Sequence, residues 1–302
     1  MASTPTVLAP GVYVILATPF DAHGEVDEAS LARLVDFSID RGVHGLTALG
    51  IMGEFHRLSE EERRRVAEVV VRQAAGRVPV VVGASHPGLP VTAALARHAA
   101  KIGAAAIMVA PPAGTRADPD VLLRYYQAVA AASPLPVVVQ DEPQSTGVQM
   151  PAVALARILD EIPRCVAIKL EDPPTPQKVS RLRKLCGAAV RIYGGMGGLY
   201  FLEELERGAV GTMTGFGFPE VLVGIYDHFV AGRHAAARDL FYRWTPVIRY
   251  EAQPGIGLPV RKEILYRRGA IATPAVRAPG VGLDDETKAE LERMLEYAQQ
   301  LR

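Results

Sequence analysis

The fold turns on one stretch, "RCVAIKLEDPPTP", which runs from Arg164 to Pro176. Its first half is a short apolar run closed by a proline-rich turn, the pattern of a buried strand. Inside that run stands Lys169. A buried ammonium is costly unless it is paired or gives up its proton. Lys169 is therefore either a surface residue in disguise or a functional one, and the rest of the chain has to place it.

Seven further runs of this kind accompany it: Val12–Ala17, Gly45–Leu49, Val78–Gly83, Ala105–Ala110, Leu135–Gln140, Val190–Tyr193 and Gly211–Thr214, beside Cys165–Leu170 itself. Segments with helical periodicity separate them. Leu31, Leu34, Val35 and Ser38 share one face of a helix opened by Asp27 as N-cap. Val66, Val69, Val70 and Gln73 share another, and Leu122, Tyr125, Tyr126 and Val129 follow Pro119, which suits a first helical turn. Strands alternating with helices eight times over predict an α/β fold, a (β/α)8 TIM barrel. An open doubly wound sheet shares the alternation, but no Gly-x-Gly-x-x-Gly follows the first strand. After Thr214 the strands stop. Residues 220–302 read as a helical C-terminal extension packed on a barrel of residues 1–219.

A barrel gives Lys169 a location. It falls near the C-terminal end of strand six, on the inward face with Ala167 and Glu171, and the C-terminal mouth is where such barrels keep their sites. Burial beside Ile168 and Leu170 favours a neutral amine, able to attack a carbonyl. A structural ion pair between Lys169 and Glu171 explains the same two residues, and position alone does not choose.

The 302 residues carry 33 basic and 33 acidic side chains. That balance, without a basic stripe, excludes nucleic acid as the expected partner. Glu60 to Glu62 followed by Arg63 to Arg65 reads as a mixed, solvated helix face. Two cysteines, Cys165 and Cys186, make no disulfide framework, so a cytoplasmic setting is expected. "MASTPTVLAPG" lacks the features of a leader, and no apolar run approaches ~20 residues, so no membrane span is expected. The histidines show no ligand spacing with carboxylates, and no metal is expected. "GASH" (83–86) closes strand three, which puts Ser85 and His86 within reach of a substrate at the mouth, as it does His56 after strand two.

Several ordered pieces now carry a resemblance: "ATPFDAHGEVD" (17–27), "ALGIMGEFHRLSEEER" (48–63), "QDEPQSTG" (140–147), "AIKLED" (167–172) and "GAVGTMTGFGFPE" (208–220). Together they resemble the dihydrodipicolinate synthase / N-acetylneuraminate lyase family of Schiff-base barrels over roughly Pro10 to Gly269. The resemblance implies that Lys169 forms an imine with a small-molecule 2-keto acid, with no cofactor, in a homo-oligomer that is commonly a tetramer. It places the substrate carboxylate on the turn Gly50-Ile51-Met52-Gly53, with Glu54 in a structural role bonded to nearby backbone N–H groups. Gly194 and Gly195 would let the backbone approach the imine, and Met213 would line the pocket wall. Arg261 and Lys262 have reach to the mouth, with the surface as their default place.

The departures are informative. Ile51 and Met52 stand where the family pattern has two threonines, Gln140 where it has a tyrosine, and Ser145 where the synthases carry an arginine. The segment "APPAGT" (110–115) also lacks the tyrosine expected from strand four. A synthase needs that hydroxyl relay. The combination is more similar to a subgroup, the 2-keto-3-deoxy sugar acid dehydratases, with Glu171 as acid/base and Gln140 donating to a substrate hydroxyl. Pyruvate-releasing aldol cleavage through the same imine is the first alternative, and a catalytically reduced metabolite-binding protein is the second.

Overall fold

The computed structural model describes residues 8–300. The opening residues, on which the expectation about a leader rests, fall largely outside them. Eight strands, all parallel, close into a barrel in chain order. They are β1 Gly11–Ile15, β2 Gly45–Ala48, β3 Val80–Gly83, β4 Ala106–Val109, β5 Val137–Asp141, β6 Cys165–Leu170, β7 Arg191–Gly194 and β8 Gly211–Thr214. The helices are α1 Glu28–Ile39, α2 Glu60–Ala74, α3 Leu89–Lys101, α4 Pro119–Ala132, α5 Pro143–Thr146, α6 Ala152–Glu161, α7 Thr175–Cys186, α8 Phe201–Glu206, α9 Pro219–Val230, α10 His234–Glu251, α11 Gly257–Arg267 and α12 Asp285–Gln300. The expected (β/α)8 barrel is thus the observed fold. None of the described helices is long and apolar enough to cross a membrane.

Local chemistry sets the helix starts. Asp27 accepts the Ser30 N–H at 2.9 Å to cap α1, and Asp118 with Pro119 opens α4. Ser59 and Glu62 form a reciprocal capping box on α2. The apolar faces then meet the barrel: Leu31, Leu34, Val35 and Ser38 are buried on α1, as are Val66, Val69 and Val70 on α2.

Two sequence-based expectations change here. The boundary between residues 219 and 220 falls at the start of α9, which packs against β1 and so completes the barrel's outer ring. The extension therefore begins after Val230, where α10 packs on α9 and α12 on α10. Arg63, expected on a solvated face, is buried at 7 % exposure. Its Nε donates to the Phe55 carbonyl at 2.9 Å, and its guanidinium lies over the Phe55 ring. Only Arg64 and Arg65 of that trio are exposed partners, of Glu60 and Glu28.

Inside the barrel Tyr13, Val81, Ala106, Met108, Val138, Ala167, Tyr193 and Met213 form one buried cluster with Leu8. Both tyrosine hydroxyls donate to the segment before β1: Tyr13 to Ala9 O at 3.1 Å, Tyr193 to Ala9 O at 2.8 Å. This segment closes the floor of the barrel. The opposite end is left for polar chemistry.

Candidate active site

Lys169 follows Ala167 at the next inward position of β6 and is 1 % exposed. Its Nζ lies 2.8 Å from Glu171 Oε2. The same oxygen accepts Gln140 Nε2 at 2.9 Å from the end of β5. Register explains the trio, since Gln140 pairs with Lys169 across β5 and β6, and alternation returns Glu171 to the lysine's face. Lys169 and Glu171 line a cavity of about 370 Å³ at the barrel mouth. The Glu171 carboxylate is thus placed to exchange a proton with the amine, while Gln140 fixes its orientation.

A buried frame holds these strand ends. The Glu171 N–H donates to Asp141 O at 2.8 Å. Lys178 reaches Asp141 Oδ2 at 2.6 Å, Asp172 Oδ2 at 2.7 Å and Met150 O at 2.7 Å. Burial pushes the Asp141 carboxyl up to about 7, with Lys178 opposing the rise. Glu142, which also lines the cavity, caps the short α5 through Ser145. Burial raises its carboxyl too, the Ser145 hydrogen bond opposing.

After β2, Ile51–Gly53 make one turn of 3₁₀ helix. The Gly53 and Glu54 amides close it on Gly50 O and Ile51 O at 2.8 and 3.0 Å. The amides of Ile51 and Met52 are not used by the turn, as at any helix start, and both residues line the lysine cavity. Ser85, His86 and Gln140 line an adjoining cavity of about 450 Å³, which shares Ile51 and His56 with the first. There Ser85 Oγ accepts the Ala110 N–H and His86 Nδ1 accepts the Gly88 N–H, both at 2.9 Å. The structure therefore brings Lys169, Glu171, Ile51 and Met52 together and sets Ser85 and His86 next door.

The two glycines at the end of β7, Gly194 and Gly195, make room for carboxyl groups. A Cβ on Gly195 would lie 2.4 Å from Glu171 Cγ, and one on Gly194 would lie 1.7 Å from Glu204 Oε2. Glu204, on α8, gave no signal in the sequence. It is buried behind β7 and accepts Thr175 Oγ1 at 2.5 Å. Burial lifts its carboxyl to about 8; the Thr175 hydrogen bond opposes this and the charge of Glu171 adds to it. Met213 belongs to the interior cluster and does not line the lysine cavity.

Three other placements differ from expectation. Arg261 and Lys262 are not surface residues, at 2 % and 0 % exposure. Glu54 is held mainly by cations, with Lys262 Nζ and Arg57 Nη1 each 3.3 Å from its carboxylate, while the Arg277 N–H is 3.5 Å away. "GIGLPVRKE" sets three charged residues in a row, a pattern that reads as surface, yet Arg261, Lys262 and Glu263 are all buried. No tyrosine lines the lysine cavity. The hydroxyls of Tyr125 and Tyr126 turn to the carbonyls of Ala110 and Val109. Among the described residues no cluster of three or more His, Cys, Asp or Glu is arranged to hold a metal ion.

Comparison with known proteins follows the same lines. The model of the dihydrodipicolinate synthetase family matches residues 9–298. An L-2-keto-3-deoxyarabonate dehydratase of Azospirillum brasilense is 35% identical over 295 residues, 96% of this chain and 95% of that protein. A 4-hydroxy-tetrahydrodipicolinate synthase of Methanothrix thermoacetophila is 32% identical over 288 residues, 94% of this chain and 95% of its own. The crystal structure of dihydrodipicolinate synthase from Rhodopseudomonas palustris superposes with a TM-score of 0.92 at 36% identity, covering 98% of this chain and 100% of that one.

Proposed function

The chain belongs to the dihydrodipicolinate synthetase family of lyases, and from that premise we propose that it is a Schiff-base lyase that dehydrates a 2-keto-3-deoxy sugar acid. The observation that carries the reading is the Lys169–Glu171 pair at 2.8 Å, facing a cavity without a phenol. Glu171 takes the ammonium proton, and the free amine of Lys169 adds to the C2 ketone. Loss of water from the adduct leaves a protonated imine, an electron sink for the electrons of the C3–H bond. A base removes a C3 proton to give the enamine, and the C4 hydroxyl departs with a proton as water. Hydrolysis of the imine returns Lys169, and the product, a C3=C4 alkene bearing the C5 hydroxyl, tautomerises through its C4=C5 enol to the semialdehyde. Glu171 takes the ammonium proton and later the C3 proton, passing each to the water that departs next, and no added cofactor enters any step.

The curated relatives include dehydratase and synthase alike, and the site's own residues favour the dehydratase. Ser145 donates its N–H and its hydroxyl to Glu142 and supplies no cation for a second carboxylate. The amides of Ile51 and Met52 hold the C1 carboxylate without hydroxyl side chains. Aldol cleavage needs a base at the C4 hydroxyl, the place of the absent phenol. A small-molecule 2-keto acid is thus the proposed partner, in a cytoplasmic enzyme that assembles as its family commonly does, in tetramers.

The test is intact mass after borohydride with pyruvate and with 2-keto-3-deoxypentonate, followed by product analysis. The expected result is a reduced adduct on Lys169 and a semialdehyde product. Pyruvate as product would move the assignment to aldol cleavage. No adduct with either acid would leave a metabolite-binding protein.

A further inference from the structure

The inward positions of β8 run Gly211, Met213 and then, just past the strand, Gly215. At the mouth, therefore, the inward position that follows Met213 carries no side chain of its own. Arg261 takes the place. Arriving from α11, its guanidinium lies where the missing group would be: a Cβ on Gly215 would sit 2.1 Å from Nη1 and 2.6 Å from Cζ. Arg261 Nη2 donates to Gly215 O at 2.7 Å, and Nε is paired with Glu251. Nη1 is buried and has no partner among the described residues. A buried donor left this way costs on the order of 1–3 kcal/mol. Arg261, Gly215 and Glu251 line the same cavity as Lys169 and Glu171.

We propose that Arg261 is a specificity-determining residue, its Nη1 donating a hydrogen bond to a hydroxyl on the tail of the keto acid. This rests on the Schiff-base reading above and names the group that reads the far end of that substrate. Charge selects the tail. The cavity is lined by three cations, Arg57, Lys169 and Arg261, and three carboxylates, Glu142, Glu171 and Glu251. Arg261 is already matched by Glu251, with both side chains nearly inaccessible. A second carboxylate on the substrate would find no surplus positive charge there. A neutral hydroxylated tail takes the free donor without leaving any charge unpaired.

The experiment compares borohydride labelling by pyruvate, which has no tail, with labelling by 2-keto-3-deoxypentonate and by 2-ketoglutarate. Wild type is set against Arg261→Lys, which keeps the charge opposite Glu251 but removes Nη1, and against Gly215→Ala, which pushes the guanidinium aside. Thermal melting of both variants verifies folding. For each variant, half-labelling by the deoxypentonate is expected to need about tenfold to a hundredfold more ligand, the range for a hydrogen bond to a charged group. The pyruvate value should move by less than about twofold, and wild type should label with the deoxypentonate below 2-ketoglutarate. Equal shifts for both acids, or none for either, would overturn the role of Arg261. So would wild type preferring 2-ketoglutarate. No label on wild type with any of the three acids would instead overturn the Schiff-base reading, and this inference with it.

Discussion

Two buried lysine–glutamate pairs in this chain look alike in burial and pairing and differ in kind. Lys169 lies 2.8 Å from Glu171 at the end of β6, and Lys262 lies 3.3 Å from Glu54 between α11 and the turn after β2. Both lysines are almost fully buried. Lys262, however, is enclosed: it also donates to Ala275 O at 2.8 Å and rests over the Phe20 ring. Burial pulls its ammonium down to about 8, with Glu54 opposing. Neither cavity at the mouth is lined by it. Lys169 has a carboxylate on one side and open volume on the other. Access, not burial or pairing, separates the proposed nucleophile from a clasp.

The sharpest way to break the comparison is Lys169→Ala. Lyase activity should fall to background and the borohydride adduct should vanish from the mass spectrum, while Lys262→Met retains the adduct wherever it stays folded. Surviving adduct in Lys169→Ala would remove Lys169 from the mechanism. Next comes Glu171→Gln. It keeps the Gln140 contact geometry but cannot carry a proton, and kcat should drop by about 10²–10⁴-fold, measured in steady state, with pyruvate still trapped on the lysine. A drop confined to KM would make Glu171 a structural partner.

The third prediction concerns stability. Lys262→Met leaves the buried Glu54 with one ion-pair partner, Arg57, and should lower unfolding free energy by up to about 3–5 kcal/mol. Lys169→Met should lose less, because Glu171 keeps Gln140 and borders the cavity. Urea unfolding of both variants decides; equal losses would erase the distinction drawn here. The last effect, the one graded with pH, concerns Glu204, the carboxyl behind Glu171 for which Glu54 has no counterpart. Its folded-state value of about 8 stands above the ordinary 4.5. Between these limits the unfolded chain binds fewer protons than the folded one, so this group's contribution to stability falls as pH rises. Glu204→Gln removes that dependence. Its stability relative to wild type should climb across the window by at most about 1.4 kcal/mol per pH unit. Melting curves at intervals from pH 5 to pH 9 would show it, and a flat difference would mean that Glu204 titrates as an ordinary carboxylate.

The strands were legible because they are short, mostly apolar runs bounded by turn residues, and a parallel barrel buries both faces of its strands. The Lys169–Glu171 relation was legible because alternation is rigid over two residues. Asp27 and Pro119 announced helix starts through capping chemistry that is local. Gln140 as Glu171's partner was not legible, because it depends on the register between β5 and β6. The same holds for Glu204 and Arg261. Their neighbours, Gly194 and Gly215, are silent in a sequence; what they permit depends on what packs against them.

By itself, the sequence determined the eightfold alternation, the position of a lysine at the mouth of strand six and the membership in a family whose motifs it keeps in order. These rest on periodicity and short spacings, which a chain expresses over a few residues. Tertiary structure alone decided which charged residues are clasps and which face open volume. It set Lys262 against Glu54 across 208 positions of sequence and Arg261 into the space of Gly215 across 46. The physical reason is that burial and access are properties of the closed barrel and of the helices laid over its mouth, and no local pattern encodes the far partner.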